Sequence, residues 1–259
     1  MLGIFAEIVR SYKDNIRRVY PEPSVGIYNK GGYENLDPQQ LKDKTRYMLS
    51  LRPLQLGYHV LDIGCGNGEM VMTLARLGLQ YVVGVDVSQD SIDICKGKSA
   101  SQVTQGQNVF KRMSATDLKF DDAVFDVVYM ADMVEHLSDA NLRKAIAEAH
   151  RVLKPGGHLL IHTAPTVNYK LCGQYIAKYY FGLQGRSWLT LTSREEAALG
   201  HVNIQSQSSL KSYLCGSFQP NQVKAFYGPV NPKGALKKLI SLLGLWPLLS
   251  YHLWAVARK

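Results

Sequence analysis

The sequence predicts an α/β fold with seven strands in a mostly parallel sheet, helices on both faces, and an antiparallel last strand. Two observations predict it. Between residues 58 and 165, short apolar runs rich in β-branched residues alternate with helical patterns, which is typical of parallel strands joined by crossover helices. A chain of 259 residues is also long enough to bury the core that such a sheet needs.

The first half of this alternation predicts two strands and two helices. They are the strand HVLDIG at 59–64, the helix NGEMVMTLARLG at 67–78, the strand YVVGVD at 81–86 and the helix SQDSIDICKGKSA at 88–100. Ser88 is the predicted N-cap of the second helix, because its hydroxyl can accept a hydrogen bond from a backbone N–H of the first turn.

The second half continues the alternation and then changes. It predicts strands at 109–115, 125–131 and 158–164, a helix at 141–154, and a turn at Pro155-Gly156-Gly157. Beyond Pro165 the predicted elements are a helix at 208–217 and two closing strands at 222–228 and 252–259. We expect one domain over 1–259, made of a helical cap (1–57), a core (58–165), and an insertion with closing strands (166–259).

The net charge of +9 arises in the last third of the chain, where Glu195 and Glu196 are the only acidic residues after Pro165. Such a surface suits an anionic acceptor, a nucleic acid or an anionic membrane. The segment ALKKLISLLGLW at 235–246 predicts a basic amphipathic helix that covers a pocket or contacts lipid. Four cysteines without a CxxC pair, and no signal peptide, predict a cytoplasmic protein, with peripheral membrane contact as an extension.

Three glycines at alternate positions, Gly64, Gly66 and Gly68, follow the first predicted strand and form a ligand loop. A phosphate loop needs Lys and then Ser or Thr after its last glycine, but Glu69 and Met70 stand there. The dinucleotide fingerprint needs a glycine where Glu69 stands, and a carboxylate at a helix N-terminus opposes a pyrophosphate. Both phosphate-bearing ligands are therefore disfavoured.

Carboxylates around this loop favour a cationic ligand that contains an adenosine. Asp86 closes the second strand, where a carboxylate can accept from both ribose hydroxyls. We expect Asp117 to end the third strand and accept from the adenine amine, with Val87 and Leu118 flanking the ring. Asp62, beside the loop, can face a cationic group.

Five ordered segments, VLDIGCGNG, VVGVDVS, SATDL, FDVVYMADMVEHL and RVLKPGGHLLIHT, resemble the class I S-adenosylmethionine-dependent methyltransferases, in particular the methyltransferase type 11 group. The resemblance implies a Rossmann-like fold and S-adenosylmethionine as cofactor. The cofactor contacts that it implies are Asp62, Gly64, Cys65, Gly66, Asp86, Val87, Thr116, Asp117, Leu118, Ala131, Asp132 and Met133.

The resemblance says less about which acceptor is methylated than about the cofactor. ADMVEHL resembles ubiquinone- and menaquinone-pathway methyltransferases, whereas the Asn-Pro-Pro-Tyr and Pro-Cys motifs of amino- and cytosine-C5-methylating enzymes are absent. We therefore expect O-methylation of a small apolar or amphiphilic acceptor, lipid-linked or anionic, rather than of nucleic acid. An RNA or other nucleic-acid methyltransferase and a non-catalytic cofactor-binding protein stay open as alternatives.

Two histidines are the candidate general bases, His136 and His201, because imidazole titrates near neutral pH. Some relatives of this group have a Glu-x-x-Glu-His metal site, and its counterpart here would be Asp132, Glu135, His136 and His201. Oxygen and imidazole ligands suit a divalent metal, but the favoured prediction is a site without metal. His162 is expected at the core edge, and His252 carries no functional signal in the sequence.

Overall fold

A computed structural model describes residues 43–100, 107–164, 166–169, 202–228 and 250–259. Most of the predicted cap, most of the insertion and the predicted amphipathic helix at 235–246 lie outside these residues, as does His201. The five helices described are α1 (Asp43–Leu51), α2 (Glu69–Arg76), α3 (Gln89–Ala100), α4 (Asp139–Val152) and α5 (Gln207–Leu214). The strands are β1 (His59–Ile63), β2 (Tyr81–Asp86), β3 (Gln107–Arg112), β4 (Phe125–Ala131), β5 (Leu153–Thr163), β6 (Val223–Tyr227) and β7 (Leu253–Arg258).

The seven strands form one sheet in the order β3-β2-β1-β4-β5-β7-β6, which confirms the predicted fold class. Strands β1 to β5 run parallel to one another, and β7 runs antiparallel between β5 and β6. β1 pairs with β2 on one side and β4 on the other, so the strand order reverses at β1. In such sheets the ligand crevice lies at the carboxyl ends of the strands on either side of the reversal.

Helices cover both faces because neighbouring residues of each strand point to opposite sides. Leu61 packs with α4 and α5, while Val60 packs with α1, α2 and α3. The N-cap prediction at Ser88 is confirmed, since its hydroxyl accepts from the N–H of Ser91 at 3.2 Å. Apolar alternation along the central strands therefore places the helices.

Two predicted boundaries were wrong. β3 ends at Arg112, because the Ser114 hydroxyl accepts the Thr116 N–H at 3.2 Å and turns the chain away from the ladder. Asp117 consequently lies in this turn, and not at a strand end. The predicted turn at 155–157 is part of β5, where the Gly156 N–H donates to the Lys259 carbonyl at 2.8 Å.

We expect the Gly68→Ala variant to lower the free energy of unfolding by about 2 kcal/mol, because a side chain is strained at positive φ and crowded here. The φ of Gly68 is 77°, and an added Cβ would lie 2.8 Å from the Cys95 sulfur and 2.9 Å from Phe110. Urea denaturation measures this. The control is Gly97→Ala in α3, which has open space and should stabilise by up to ~1 kcal/mol. Equal effects of the two substitutions would contradict the prediction.

Candidate functional site

The loop between β1 and α2 has the backbone conformation that its glycines predict. The φ values of Gly64, Gly66 and Gly68 are 73°, 50° and 77°, in the region that favours glycine. The N–H groups of Gly64 and Cys65 both donate to the Val85 carbonyl, at 2.8 and 3.0 Å, which ties the loop to the end of β2. The loop is therefore held open beside the carboxyl edge of the sheet.

Asp86 lies at the end of β2 and contacts this loop directly. One carboxylate oxygen accepts from the Gly66 N–H at 2.9 Å, and the other accepts from the Ser88 N–H at 2.9 Å. An ionised carboxylate has about four acceptor positions. Two of them therefore stay open for the hydroxyls of a ligand.

A cavity of about 130 Å³, open to solvent, lies between α1 and the glycine loop. The residues that line it are Lys44, Thr45, Asp62, Gly64, Cys65, Asn67, Glu69, Met70 and Ala131.

Asp62 is the chemically distinctive residue of this cavity. Its side chain is only 3% exposed, and no described residue donates a hydrogen bond to its carboxylate. Burial raises the pKa of Asp62 to about 7; the charges of Asp86 and Asp132 add to this effect and that of Lys44 opposes it. A cationic ligand group would offset the free-energy cost of burying the ionised Asp62 carboxylate, so the cavity fits the ammonium of S-adenosylmethionine.

Asp132, directly after β4, has its carboxylate occupied by two side chains. Lys44 of α1 donates to one oxygen, and the Nδ1 of His162 lies 2.5 Å from the other. Burial alone would raise the pKa of Asp132, but His162 and Lys44 hold it well below its usual range. Asp132 thus joins the cavity wall to β5, a link that the sequence did not predict.

The three described residues of the alternative metal site, Asp132, Glu135 and His136, do not form such a site, and His201 lies outside the described residues. Asp132 is paired with Lys44 and His162, and the Glu135 carboxylate is buried, where it accepts from the Thr163 hydroxyl at 2.8 Å. His136 is exposed on the 3₁₀ turn Val134–His136. Within the described ranges, no group of three or more His, Cys, Asp or Glu could hold a metal ion.

Four predicted contacts lie on the adenine side. Leu118 is 3% exposed and packs in the core, and its N–H donates to Glu148 at 2.7 Å. Val87 is 67% exposed. The carboxylate of Asp117 is exposed and pairs with Lys119 at 2.6 Å, while the Thr116 hydroxyl bonds to Ser114. The roles of Val87, Thr116, Asp117 and Leu118 stay predictions.

The other predicted cofactor contacts lie around the cavity. Cys65 and Ala131 line it, and Met133 packs against Gly64, where an added Cβ would lie 3.0 Å from that of Met133. Burial raises the pKa of the Cys65 thiol, so this residue is a neutral part of the wall and not a nucleophile. This arrangement agrees with the sequence interpretation of Cys65.

We expect the Glu135→Gln variant to show a flatter dependence of unfolding free energy on pH. Burial raises the pKa of Glu135 to about 7, from 4.5. Protonated Glu135 therefore makes its full contribution to the free energy of unfolding below pH 4.5. This contribution, about 3 kcal/mol, is lost as the pH rises towards 7. Denaturant titrations across this window measure it. Asp62→Asn is the matched comparison, because Asp62 is the other carboxyl group whose pKa is raised. An unchanged slope of unfolding free energy against pH in Glu135→Gln would contradict the prediction.

In the described part of the chain, no helix is both long enough and apolar enough to cross a membrane. Near the end of the described chain, Leu253–Arg258 form β7. The strand prediction for HLWAVARK is thereby confirmed.

Comparisons with known proteins agree with this geometry. Residues 61–161 match the family described as "Methyltransferase domain". The chain is 35% identical over 111 residues to an O-methyltransferase, cnsE, of Penicillium expansum, covering 43% of this chain and 39% of that protein. It is 34% identical over 114 residues to a ubiquinone biosynthesis O-methyltransferase of Mesorhizobium japonicum, covering 43% of each. The chain thus spans less than half the length of these two relatives.

A solved S-adenosylmethionine-dependent methyltransferase from Mesorhizobium loti has the same fold. It superposes with a TM-score of 0.58 at 18% identity, covering 86% of this chain and all of that one. The strand order, the glycine loop and the buried Asp62 all agree with the family match. Residues 61–161 therefore match a methyltransferase domain, and the chain has the fold of a solved S-adenosylmethionine-dependent methyltransferase.

Proposed function

We propose that this protein transfers a methyl group from S-adenosylmethionine to a hydroxyl of a small apolar or amphiphilic acceptor. The observation that carries the proposal is the buried Asp62 carboxylate, which lines the cavity beside the glycine loop and has no hydrogen-bond donor among the described residues. The choice of a hydroxyl is supported by two relatives whose names specify O-methylation.

The chain's own residues would hold the cofactor by its polar groups. Asp62 would accept from the ammonium, and the open lone pairs of Asp86 would accept from the ribose hydroxyls. Lys44 lines the same cavity and would meet the carboxylate of the amino acid end. Bound in this way, the cofactor supplies an electrophilic methyl group on a sulfonium.

What remains for the protein is to orient the acceptor oxygen and remove its proton. Methyl transfer is an in-line displacement, so positioning supplies much of the rate. His136, one predicted base, is exposed on its 3₁₀ turn, and His201 lies outside the described residues. The base is therefore a separate question from the binding of the cofactor.

The test combines binding with product analysis. Calorimetry should detect S-adenosylmethionine binding, and cofactor with a labelled methyl group should label members of a panel of quinols, catechols and polyprenyl phenols. Mass spectrometry should find one added methyl group on oxygen. Binding without any turnover would instead support a non-catalytic cofactor-binding protein.

A second panel of structured and single-stranded RNA addresses the basic last third of the chain. Labelled RNA, together with micromolar binding that weakens steeply with salt, would overturn the small-molecule proposal in favour of a nucleic-acid methyltransferase. Labelled phenols and unlabelled RNA would support it.

A further inference from the structure

A hydrogen-bonded row of three side chains lies along the carboxyl edge of the sheet. The Oδ1 of Asp132 is 2.5 Å from the Nδ1 of His162, and the Nε2 of His162 is 2.9 Å from the Nδ1 of His252. Asp132 directly follows β4, His162 is next to last in β5, and His252 directly precedes β7. Since β7 is antiparallel to β5, its start lies at the same edge as the end of β5.

The protonation of this row follows from burial and hydrogen bonding. Asp132 is ionised and can only accept, so the Nδ1 of His162 donates to it. Burial lowers the pKa of His162, which is therefore neutral, and its Nε2 must accept. Burial also lowers the pKa of His252, whose Nδ1 donates to His162. The row therefore ends in a lone pair on the Nε2 of His252.

The middle of the row is rigid. His162 is 2% exposed, and its ring centroid lies 4.2 Å from that of Trp254. Asp132 has a φ of 54°, an unusual conformation for a residue other than glycine. It is held there by its own N–H, which donates to the His162 carbonyl at 3.0 Å, and by Lys44. A row fixed in this way can determine the tautomer of His252.

The row begins at the cofactor cavity. Ala131, next to Asp132, and Lys44, its ion-pair partner, both line that cavity. From there the row extends across β5 to β7 along the edge where ligands of such sheets bind. Among the described residues, none donates a hydrogen bond to the Nε2 of His252.

We propose that His252 is the general base of methyl transfer, and that His162 and Asp132 are positioning residues that keep the lone pair on its Nε2. A carboxylate that orients an imidazole base is a known catalytic arrangement, and here a second imidazole lies between them. The inference rests on the proposed methylation of a hydroxyl.

The step balances as follows. The acceptor oxygen bonds to the methyl carbon while the carbon–sulfur bond breaks and its electron pair stays on sulfur. The hydroxyl proton moves to the Nε2 of His252. The positive charge, formerly on sulfur, is then on the imidazolium, which Asp132 stabilises through His162, and the proton finally leaves to solvent.

Nitrogen NMR of the full chain with ¹⁵N-labelled histidine tests the row directly, with or without a known acceptor. We expect the Nδ1–H tautomer for both His162 and His252, assigned from the His162→Gln and His252→Asn spectra. A proton on the Nε2 of His252 in the wild-type protein would overturn the proposal.

Asp132→Asn should reverse the direction of the hydrogen bonds along the row. Lys44 would hold the oxygen of the new amide, so its NH₂ group would donate to the Nδ1 of His162. Both imidazoles would then carry the proton on Nε2, and His252 would lose its lone pair. We expect both tautomers to change and kcat to fall about 100-fold or more with KM for the acceptor nearly unchanged, while calorimetry reports cofactor binding separately. Unchanged tautomers, or a normal kcat with reversed tautomers, would refute the role of Asp132.

His252→Ala should lose kcat to a similar extent and regain activity with added imidazole, which a purely structural role would not produce. The matched control is His158→Gln, a partly buried histidine in the middle of β5, which should keep wild-type activity. Failure of imidazole rescue in a folded variant that still binds the cofactor would count against the base. A wild-type protein that methylates no hydroxyl would overturn both the proposed function and the base, while the tautomer spectra would still report whether the row exists.

Discussion

Replacing Asp62 with asparagine is expected to weaken the binding of S-adenosylmethionine about 100-fold, since a hydrogen-bonded charged contact contributes roughly 2–3 kcal/mol. Asp62 is 3% exposed and has no described hydrogen-bond donor, so the ligand's ammonium would be its main partner. Isothermal titration calorimetry measures the change. The ligand 5′-methylthioadenosine, which lacks the amino acid end, should bind both proteins equally well.

The pH dependence gives this prediction a second, independent result. Burial raises the pKa of Asp62 to about 7, so the carboxylate that attracts the ammonium is lost as the pH falls below that value. Affinity for the cofactor should then fall by up to about tenfold per pH unit in the wild-type protein and stay flat in Asp62→Asn. Equal pH profiles would contradict the assigned contact.

The thermal stability of Asp62→Asn distinguishes a loss of cofactor binding from misfolding. A carboxyl group with a raised pKa contributes stability below its unfolded pKa and loses it as the pH rises through the folded value. Asparagine removes that loss, so the ligand-free Asp62→Asn protein should have a Tm at pH 8 no lower than that of wild type. A strongly lowered Tm would mean that Asp62 is structural.

Replacing Arg151 with methionine is expected to lower the free energy of unfolding by about 3 kcal/mol, because it leaves partly buried acceptors unpaired. Arg151 of α4 donates to the carbonyls of Leu118 and Phe120 at 2.8 and 2.7 Å. It also donates to both carboxylate oxygens of Glu148, at 2.8 and 2.9 Å, and to Asp122 at 2.8 Å. One guanidinium therefore holds the whole segment between β3 and β4.

The same segment carries Thr116 and Asp117, so Arg151→Met should also weaken binding of adenosine-containing ligands. Arg151→Lys keeps the charge but lacks the planar fork, and should recover only part of the stability. The matched control is Arg143→Met on the same helix, where an exposed guanidinium lies 4.7 Å from the ring of Tyr213. Arg143→Met should lower the free energy of unfolding by less than about 1 kcal/mol. Equal losses at both positions would refute the prediction.

Short-range patterns predicted well which residues lie together around the glycine loop. Gly64, Gly66 and Asp62 lie within five residues of one another, and Asp86 ends the next strand. Parallel pairing of β1 with β2 then brings these carboxyl ends together, with Asp62 opposite Gly84. The spacing of residues along two adjacent strands was therefore sufficient to place this half of the cavity.

Local patterns do not determine whether a side chain near the cavity faces it or packs in the core. Leu118 faces the core because Glu148 and Arg151 hold its backbone. Glu135 faces inward to Thr163, and so it does not join Asp132 in a metal site. Both choices depend on partners about 30 residues away, and no local pattern encodes them.

By itself, the sequence determined the seven-stranded sheet, the left-handed glycine loop and the negative cavity, because alternation and glycine spacing are local properties of the chain. Only the tertiary structure decided which histidines meet Asp132. His162 and His252 are 90 residues apart, and they touch because β7 inserts antiparallel between β5 and β6. Long-range strand pairing, and not local spacing, brings the candidate base to the edge of the site.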